Sequence, residues 1–438
     1  MKRKWLFNIL AVLFLLAGFL GDSTGTLGSV PASGDVDVTS KIEPILLDKF
    51  NLEGTADFIV RFAEKADLSP AYGMDWESRG EFVYNTLKAT AAHSQARVKG
   101  ILDAAGYSHQ TFIAGNELYV DMGTLDIATR VAAQDEVSYI YASRVYHLDP
   151  VVNKNPMSTI TWSGDLLSFN LNANLGAVDT TLAWGISDVK ADQFWAAFGV
   201  QGEGIRVGNI DSGVQYDHPG LDQSFACASD PTNPDCWYDP SGACEGDLPC
   251  DDNGHGTHTM GSMVADDDPT LPYIAGMAPS TTWIACKGCD ANSGCRDKNL
   301  LACADWVLAP DGDPLNRPHV LNNSWGGGGG DDWYMDQVNA WRAAGIFPAF
   351  SAGNAGPECS TLGSPGDYQE SFNSAAHDSI RLIASFSSRG PGLFGDDPYT
   401  KPNISGPGVS VCSTIPGDAW TCGYSGTSMA SPHTAGAV

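Results

Sequence analysis

Residues 205–214 read IRVGNIDSGV, a short apolar run that ends on Asp211. Similar runs follow at TWIAC (282–286), HVLNNS (319–324) and IFPAFSA (346–352). Helical patterns separate them, among them Lys298–Leu308 and Trp333–Ala344, the latter stopped by Gly345. Continuous apolar strands alternating with helices predict an α/β fold, a parallel sheet with helices on both faces. Ligands gather at the carboxyl ends of such strands. Asp211 therefore stands where chemistry is expected, although an Asp at a strand end is, alone, an ordinary turn residue.

Three further stretches supply complementary groups. DDNGHGTHTMGSMVA (251–265) sets His255 between two glycines, which let other backbone approach closely. Its HGTH segment also permits a metal pair or a capping turn. No HExxH pattern follows, so metal is the weaker reading. YSGTSMASPH (424–433) starts a helix, with Thr427 as N-cap and Ser428 just after it. Pro432 is tolerated only near a helix start. The positive helix end lies beneath the Ser428 hydroxyl, which points into open space; a serine that merely caps a helix is the plain alternative. SAGNAGP (351–357) puts Asn354 at a strand end, where its amide can donate to a developing oxyanion.

Length and composition bound the answer. The 438 residues suffice for two domains and a full core. Lys and Arg number 24 against 52 Asp and Glu, a formal net charge of -28. Nucleic acid and anionic membrane surfaces need basic patches and are excluded as partners. Lys2, Arg3 and Lys4 precede an apolar run to Leu20, followed by small residues, the order of a secretory signal peptide over 1–23. The run is shorter than the roughly 20 residues of a membrane span. The expectation is a secreted, extracellular protein with no stable membrane association after signal cleavage.

Export makes the 11 cysteines, none before Cys227, read as disulfides with one thiol left over. Local pairs are Cys227 with Cys236, Cys244 with Cys250, and Cys412 with Cys422. Cys286, Cys289, Cys295 and Cys303 mimic a metal cluster, but their irregular spacing and the secreted context favour bridges.

Residues 24–44 read as a leader linker and 45–148 as a compact unit. DFIVRF (57–62) alternates like a strand, a helix runs through Val83 to Ile101 and closes at Gly106, and TFIAGNELYV (111–120) holds two strands around Gly115-Asn116. LDIATRVAAQ (125–134) is a second helix and VSYIYA (137–142) a last strand. That βαββαβ order is the α+β ferredoxin-like plan. Residues 149–179 form a connector, and 180–438 a second domain.

The four residues come in the order Asp211, His255, Asn354, Ser428. Asp, His and Ser in that order are the arrangement of subtilisin. The words DSGV, NGHGTHTMGS, AGMAP, NNSWGG, SAGNAGP, FSSRGP and GTSMASPHTAGAV resemble the motifs of subtilisin-family (S8) serine endopeptidases. WIACKGC, ADWVLAP and RPHVLNNSWG are most similar to the bacillopeptidase F-like branch. The resemblance covers about 180–438. More weakly, 45–148 resembles the family's inhibitory propeptide. It implies a subtilisin-like catalytic domain made as a zymogen, with polypeptide substrates and its own propeptide as intramolecular inhibitor. Ser428 would be the nucleophile, His255 the general base and Asp211 the group that orients it. Asn354 with the backbone N–H of Ser428 would bind the oxyanion. A peptide would pair strand to strand with Ser324, Trp325, Gly326 and Gly327. His218, His258 and His433 match family positions with structural roles.

Some features depart from the family. Gln369 stands after Tyr368 where the family has a proline that is often cis, beside the specificity pocket. Ser374 and Ala375 replace valine and glycine, and Asn403 replaces aspartate. No cofactor is expected for catalysis. The resemblance admits a structural calcium, for which ADDDP (265–269) and GGDDW (329–333) offer oxygens without a defined ligand spacing. Relatives carry more helix and strand after the serine motif, so the chain reads as C-terminally truncated. The alternative function is therefore an incompetent fragment or pseudoenzyme that only binds peptide or propeptide. An esterase reading wants GxSxG, and Ala430 takes its last glycine.

Overall fold

The computed structural model describes residues 38–148, 151, 160–161, 182–265, 274–292, 294–394 and 398–438. The expected signal peptide, the leader up to residue 37 and nearly all of the connector lie outside the described residues. No helix among the described residues is long and apolar enough to cross a membrane.

The N-terminal part contains α1 (Pro44–Glu53), β1 (Thr55–Phe62), α2 (Trp76–Ser94), α3 (Ala96–Ala105), β2 (His109–Phe112), β3 (Glu117–Thr124), α4 (Leu125–Ala132), β4 (Val137–Ala142) and β5 (Val145–Leu148). Four strands form an antiparallel sheet in the order β2-β3-β1-β4. Strand alternation divides β1 between two cores. Phe58, Val60 and Phe62 pack with Val98, Leu102, Ile127 and Val131 on one side. Ile59 faces the other side, with Val83, Leu87 and the larger core. The single helix read as closing at Gly106 is two helices. They meet at Gln95, whose Nε2 donates to the carbonyls of Phe112 and Glu117 and to Asn116 Oδ1. Folded structure also begins before residue 45, with a turn at Val38–Lys41 and α1 from Pro44.

The larger part comprises β6 (Ile160–Thr161), α5 (Trp184–Val189), α6 (Ala191–Phe198), β7 (Arg206–Asp211), β8 (Trp237–Tyr238), α7 (His255–Val264), β9 (Thr282–Lys287), β10 (Cys295–Arg296), α8 (Asp297–Trp306), β11 (Val320–Asn323) and β12 (Trp325–Gly326). It continues with α9 (Met335–Ala344), β13 (Phe347–Ser351), β14 (Phe372–His377), β15 (Ile404–Pro407), β16 (Val411–Ile415), β17 (Ala419–Tyr424) and α10 (Thr427–Ala437). Seven strands form one parallel sheet, β15-β14-β13-β11-β7-β9-β8, with helices on both faces as expected. The helices α7 and α10 pack on each other and on the sheet, while α8 and α9 form a second pair. Residues Thr427 to Ala435 of α10 are all buried, and most are small, although Thr427, Ser428, Ser431, His433 and Thr434 are polar.

The cysteines pair as Cys227–Cys236, Cys244–Cys250, Cys286–Cys303, Cys289–Cys295 and Cys412–Cys422. The four that mimic a metal cluster are thus two bridges, and Cys359 is the exposed free thiol.

The two parts meet over an extensive interface. The Asp305 carboxylate accepts from the Ile113 and Ala114 amides at 2.7 and 2.8 Å, and Asp297 accepts from Ser143 Oγ and the Arg144 amide. Arg79 donates to the carbonyls of Arg342 and Ala343, at the negative end of α9. Trp76 stacks on His319 and lies under the Arg317 guanidinium. The strand β5 runs between β10 and β12, antiparallel to both.

Two outcomes are expected. Removing a buried acceptor costs about 1–3 kcal/mol per stranded donor. Asp305→Ala should therefore speed hydrogen exchange of the Ile113 and Ala114 amides at least about tenfold, with β7 unchanged. Equal exchange in both proteins would show that the carboxylate does not hold this loop. Burial also pushes the His258 imidazole down to about 3 and that of His433 down to about 4. Both are neutral when folded and take a proton near pH 6.5 when unfolded, so their contribution is intact above pH 6.5. It falls by about 1.4 kcal/mol per pH unit for each below that. Ring proton NMR of the folded protein should show neither titrating between pH 8 and 5; a midpoint near 6.5 for either would contradict this.

Candidate active site

The carboxyl end of β7 delivers Asp211 into the interior, 1% exposed. A buried carboxylate needs donors, and this one has three. His255 Nδ1 donates to Oδ1 at 2.7 Å, the Ser212 amide to Oδ1 at 2.7 Å, and Thr259 Oγ1 to Oδ2 at 3.2 Å. Asp211 can only accept, so Nδ1 carries a proton and Nε2 is the basic nitrogen.

His255 opens α7, following Gly254 in the left-handed region. A Cβ on Gly256 would lie 2.0 Å from the Gly213 carbonyl oxygen, so the glycine lets the histidine turn press against the strand carrying Asp211. Sequence reasoning missed the residue that holds this turn. Asp251 accepts from Ser212 Oγ, the Asn253, Gly254 and Thr257 amides, and Thr257 Oγ1. An acid four residues before the helix was the available signal. Lys287, fully buried at the end of β9, was missed too; its Nζ donates to the Ser212 carbonyl and to Asp252. Nothing in its local pattern marks it, since only the pairing of β9 with β7 brings it there.

Ser428 lies in the first turn of α10, whose cap is Gly426 rather than the expected Thr427. Its hydroxyl is not in open space. The residue is 2% exposed and Oγ donates to the Ser324 carbonyl at 3.2 Å. Pro432 cannot donate to the Ser428 carbonyl four residues back. Ser324 Oγ takes that place at 3.0 Å.

Asn354 follows β13. Its Oδ1 accepts from the Thr427 amide at 2.9 Å and from Thr427 Oγ1 at 3.0 Å. The amide N–H can only donate, so the side-chain orientation is settled and Nδ2 points the other way. Nδ2 is buried and has no acceptor among the described residues. It lies 3.3 Å from where a Cβ on Gly426 would be, beside the serine turn. The structure thus brings all four sequence-derived residues to the carboxyl edge of one sheet.

Of the expected peptide-pairing residues, Trp325 pairs with Leu148 and Gly326 with His147 of β5. Gly327 packs under the Tyr146 ring, and a Cβ there would meet Tyr146 Cδ1 at 2.8 Å. Ser324 joins this lane to Ser428, as above.

The remaining expectations fall out as follows. The bond before Gln369 is not cis, whereas the one between Ser364 and Pro365 is; the Tyr368 hydroxyl donates to the Asp331 carbonyl. Ser374 Oγ donates to Thr434 on α10, and Asn403 Oδ1 accepts from Lys401 and from the Asn373 amide. His218 Nδ1 accepts from the Gly220 amide, His258 stacks on Tyr424, and His433 Nδ1 donates to the Met429 carbonyl. Asp331 and Asp332 accept from Arg144 and Arg61, and 266–269 lie outside the described residues. Among the described residues no cluster of His, Cys, Asp and Glu suits a metal.

The subtilase family matches the chain over residues 202–438. Bacillopeptidase F of Bacillus subtilis (strain 168) is 35% identical over 406 residues, 88% of this chain. The chain covers 27% of that protein's length. Subtilisin of Bacillus pumilus is 31% identical over 260 residues, 59% of this chain and 83% of that protein. Subtilisin DY of Bacillus licheniformis is 33% identical over 264 residues, 59% and 83% of the two chains. With a buried Asp–His pair, a serine at a helix start and a donor amide beside it, the chain belongs to the subtilase family.

Proposed function

We propose that the protein is a secreted serine endopeptidase, made as a zymogen and acting through an acyl-enzyme. The observation that carries this reading is the 2.7 Å hydrogen bond between His255 and Asp211, which leaves Nε2 as the base. Ser428 Oγ attacks the scissile carbonyl while Nε2 takes its proton. The imidazolium is stabilised by Asp211 and returns the proton to the leaving amine. The negative oxygen of the tetrahedral intermediate is held by Asn354 Nδ2 and the Ser428 amide. Water then releases the acyl group by the same steps reversed.

Residues 45–148 act as the intramolecular inhibitor in this account. The support is β5, which already fills the lane beside Trp325 and Gly326 that a substrate strand would enter. An occupied lane cannot accept a second strand, so activity waits on removal of this unit. The signal-like N-terminus supports export, and the names of the relatives support a peptidase.

The purified protein should hydrolyse casein, be inactivated by phenylmethylsulfonyl fluoride, and shorten by loss of its N-terminal unit. Ser428→Ala should stay full length and lose about 10⁶-fold in kcat, a figure that comes from the nucleophile of subtilisin itself. Asn354→Ala should lose about 10²–10³-fold, again the size known for that donor in subtilisin. Full casein hydrolysis by Ser428→Ala would refute the assignment. A wild-type chain that binds peptides without cutting them would instead make it a binding module.

A further inference from the structure

A chain of buried polar side chains runs beneath the site. Strands β7 and β11 are neighbours, in a register that pairs Asn209 with Asn322. Asp211, two residues after Asn209, lies on the same face of the sheet. Asn209, Thr259, Asn322, Ser324 and Ser431 are all buried, so their donors and acceptors must find partners inside the protein. They do so in one direction only. The Ser428 carbonyl can only accept, so Ser324 Oγ gives it a proton at 3.0 Å. Ser324 Oγ then has no proton for Asn322, so the amide nitrogen Nδ2, not the oxygen, faces it at 3.1 Å. Ser431 Oγ donates to Asn322 Oδ1 at 2.8 Å, in keeping with that orientation. The second hydrogen of Asn322 Nδ2 goes to Asn209 Oδ1 at 3.1 Å. Asn209 Nδ2 is thereby turned to Thr259 and donates to its Oγ1 at 3.0 Å. The Thr259 hydroxyl proton is left with two acceptors, Asp211 Oδ2 at 3.2 Å and the Gly256 carbonyl at 3.1 Å.

We propose that Thr259 is a positioning residue for the reaction: its hydroxyl proton goes to Asp211, and Asn209, Asn322 and Ser324 hold it there, keyed to the Ser428 carbonyl across the sheet. The inference rests on the proposed endopeptidase function and names a residue that serves it without touching substrate. Two observations favour Asp211 as the acceptor. The Gly256 carbonyl already receives Asn209 Nδ2 at 3.3 Å. A hydrogen bond to a carboxylate is also about twice as strong as one to a carbonyl. His255 Nδ1 and the Ser212 amide both occupy Asp211 Oδ1, and Thr259 serves Oδ2. With both oxygens held, the carboxylate plane is fixed, and with it the direction of the His255 hydrogen bond. Pro432 starts the series, because it frees the Ser428 carbonyl that orients the first hydroxyl. One end of the chain is thus the backbone of the proposed nucleophile, and the other is the group that orients its base.

The test uses the activated enzyme with casein and one internally quenched peptide. Thr259→Val keeps the shape of the side chain and removes only the hydroxyl. It should lower kcat about tenfold with KM unchanged, the size of a lost hydrogen bond to a charged group. Thr259→Ser, which returns the hydroxyl, should recover most of that loss. Asn209→Leu attacks the same hydroxyl from the other side, so the test does not hang on one variant folding. It should cost a similar factor alone and add little to Thr259→Val, since both act through one proton. Proton NMR of the full-length Ser428→Ala chain gives a readout without turnover. The low-field His255 Nδ1 proton should move on Thr259→Val and return on Thr259→Ser. If an enzyme that digests casein keeps its kcat in Thr259→Val, the proton belongs to the Gly256 carbonyl, and the inference falls while the function stands. A loss carried by KM, additive losses in the double variant, or an Nδ1 proton that stays in place have the same consequence. Failure of the wild type to hydrolyse casein overturns both.

Discussion

The hydrogen bond from His255 Nδ1 to Asp211 Oδ1, closed off from water, is the contact on which the site depends. Sealing a carboxylate inside a protein is costly unless donors surround it. Here the parallel sheet provides the place and the adjoining turns provide the donors. Asp251 gathers the turn before α7, Lys287 anchors the Ser212 carbonyl, and Ser212 in turn donates to Asp211 and accepts from the Gly256 amide. Each group fixes a neighbour, so the imidazole needs little rearrangement to act as a base.

The serine side is built on a different device. Pro432 removes one helical hydrogen bond inside α10, and the freed Ser428 carbonyl is taken by Ser324 Oγ, while the Ser324 carbonyl accepts from Ser428 Oγ. This reciprocal pair couples the proposed nucleophile, Ser428, to the lane that β5 fills. That lane and the Ser428 hydroxyl therefore share one rigid reference, and Asn354, oriented by Thr427, shares it too. Such preorganisation is what electrostatic stabilisation of an oxyanion requires.

Much of this was legible in the sequence. The parallel sheet followed from apolar runs that alternate with helices, and Asp211, His255, Asn354 and Ser428 sit in short, distinctive words at strand and helix ends. Three local cysteine pairs could be read from closeness in sequence. What could not be read depends on distant chain segments meeting. Lys287 reaches Ser212 only because β9 pairs with β7. Cys286 and Cys303 join because α8 folds back beside β9. The break at Gln95 is set by a buried side chain bonding to β2 and β3, against a local pattern that favours one helix. The acids of GGDDW bind arginines of the N-terminal unit, contacts that only the packing of the two parts creates.

The central claim is that His255, held by Asp211, activates Ser428 and no other hydroxyl. Mass spectrometry after treatment with diisopropyl fluorophosphate tests it most directly. The account predicts a single adduct on the peptide containing Ser428, formed faster as pH rises through the titration of one group, and absent from His255→Ala. An adduct elsewhere, or undiminished labelling of Ser428 in His255→Ala, would contradict it.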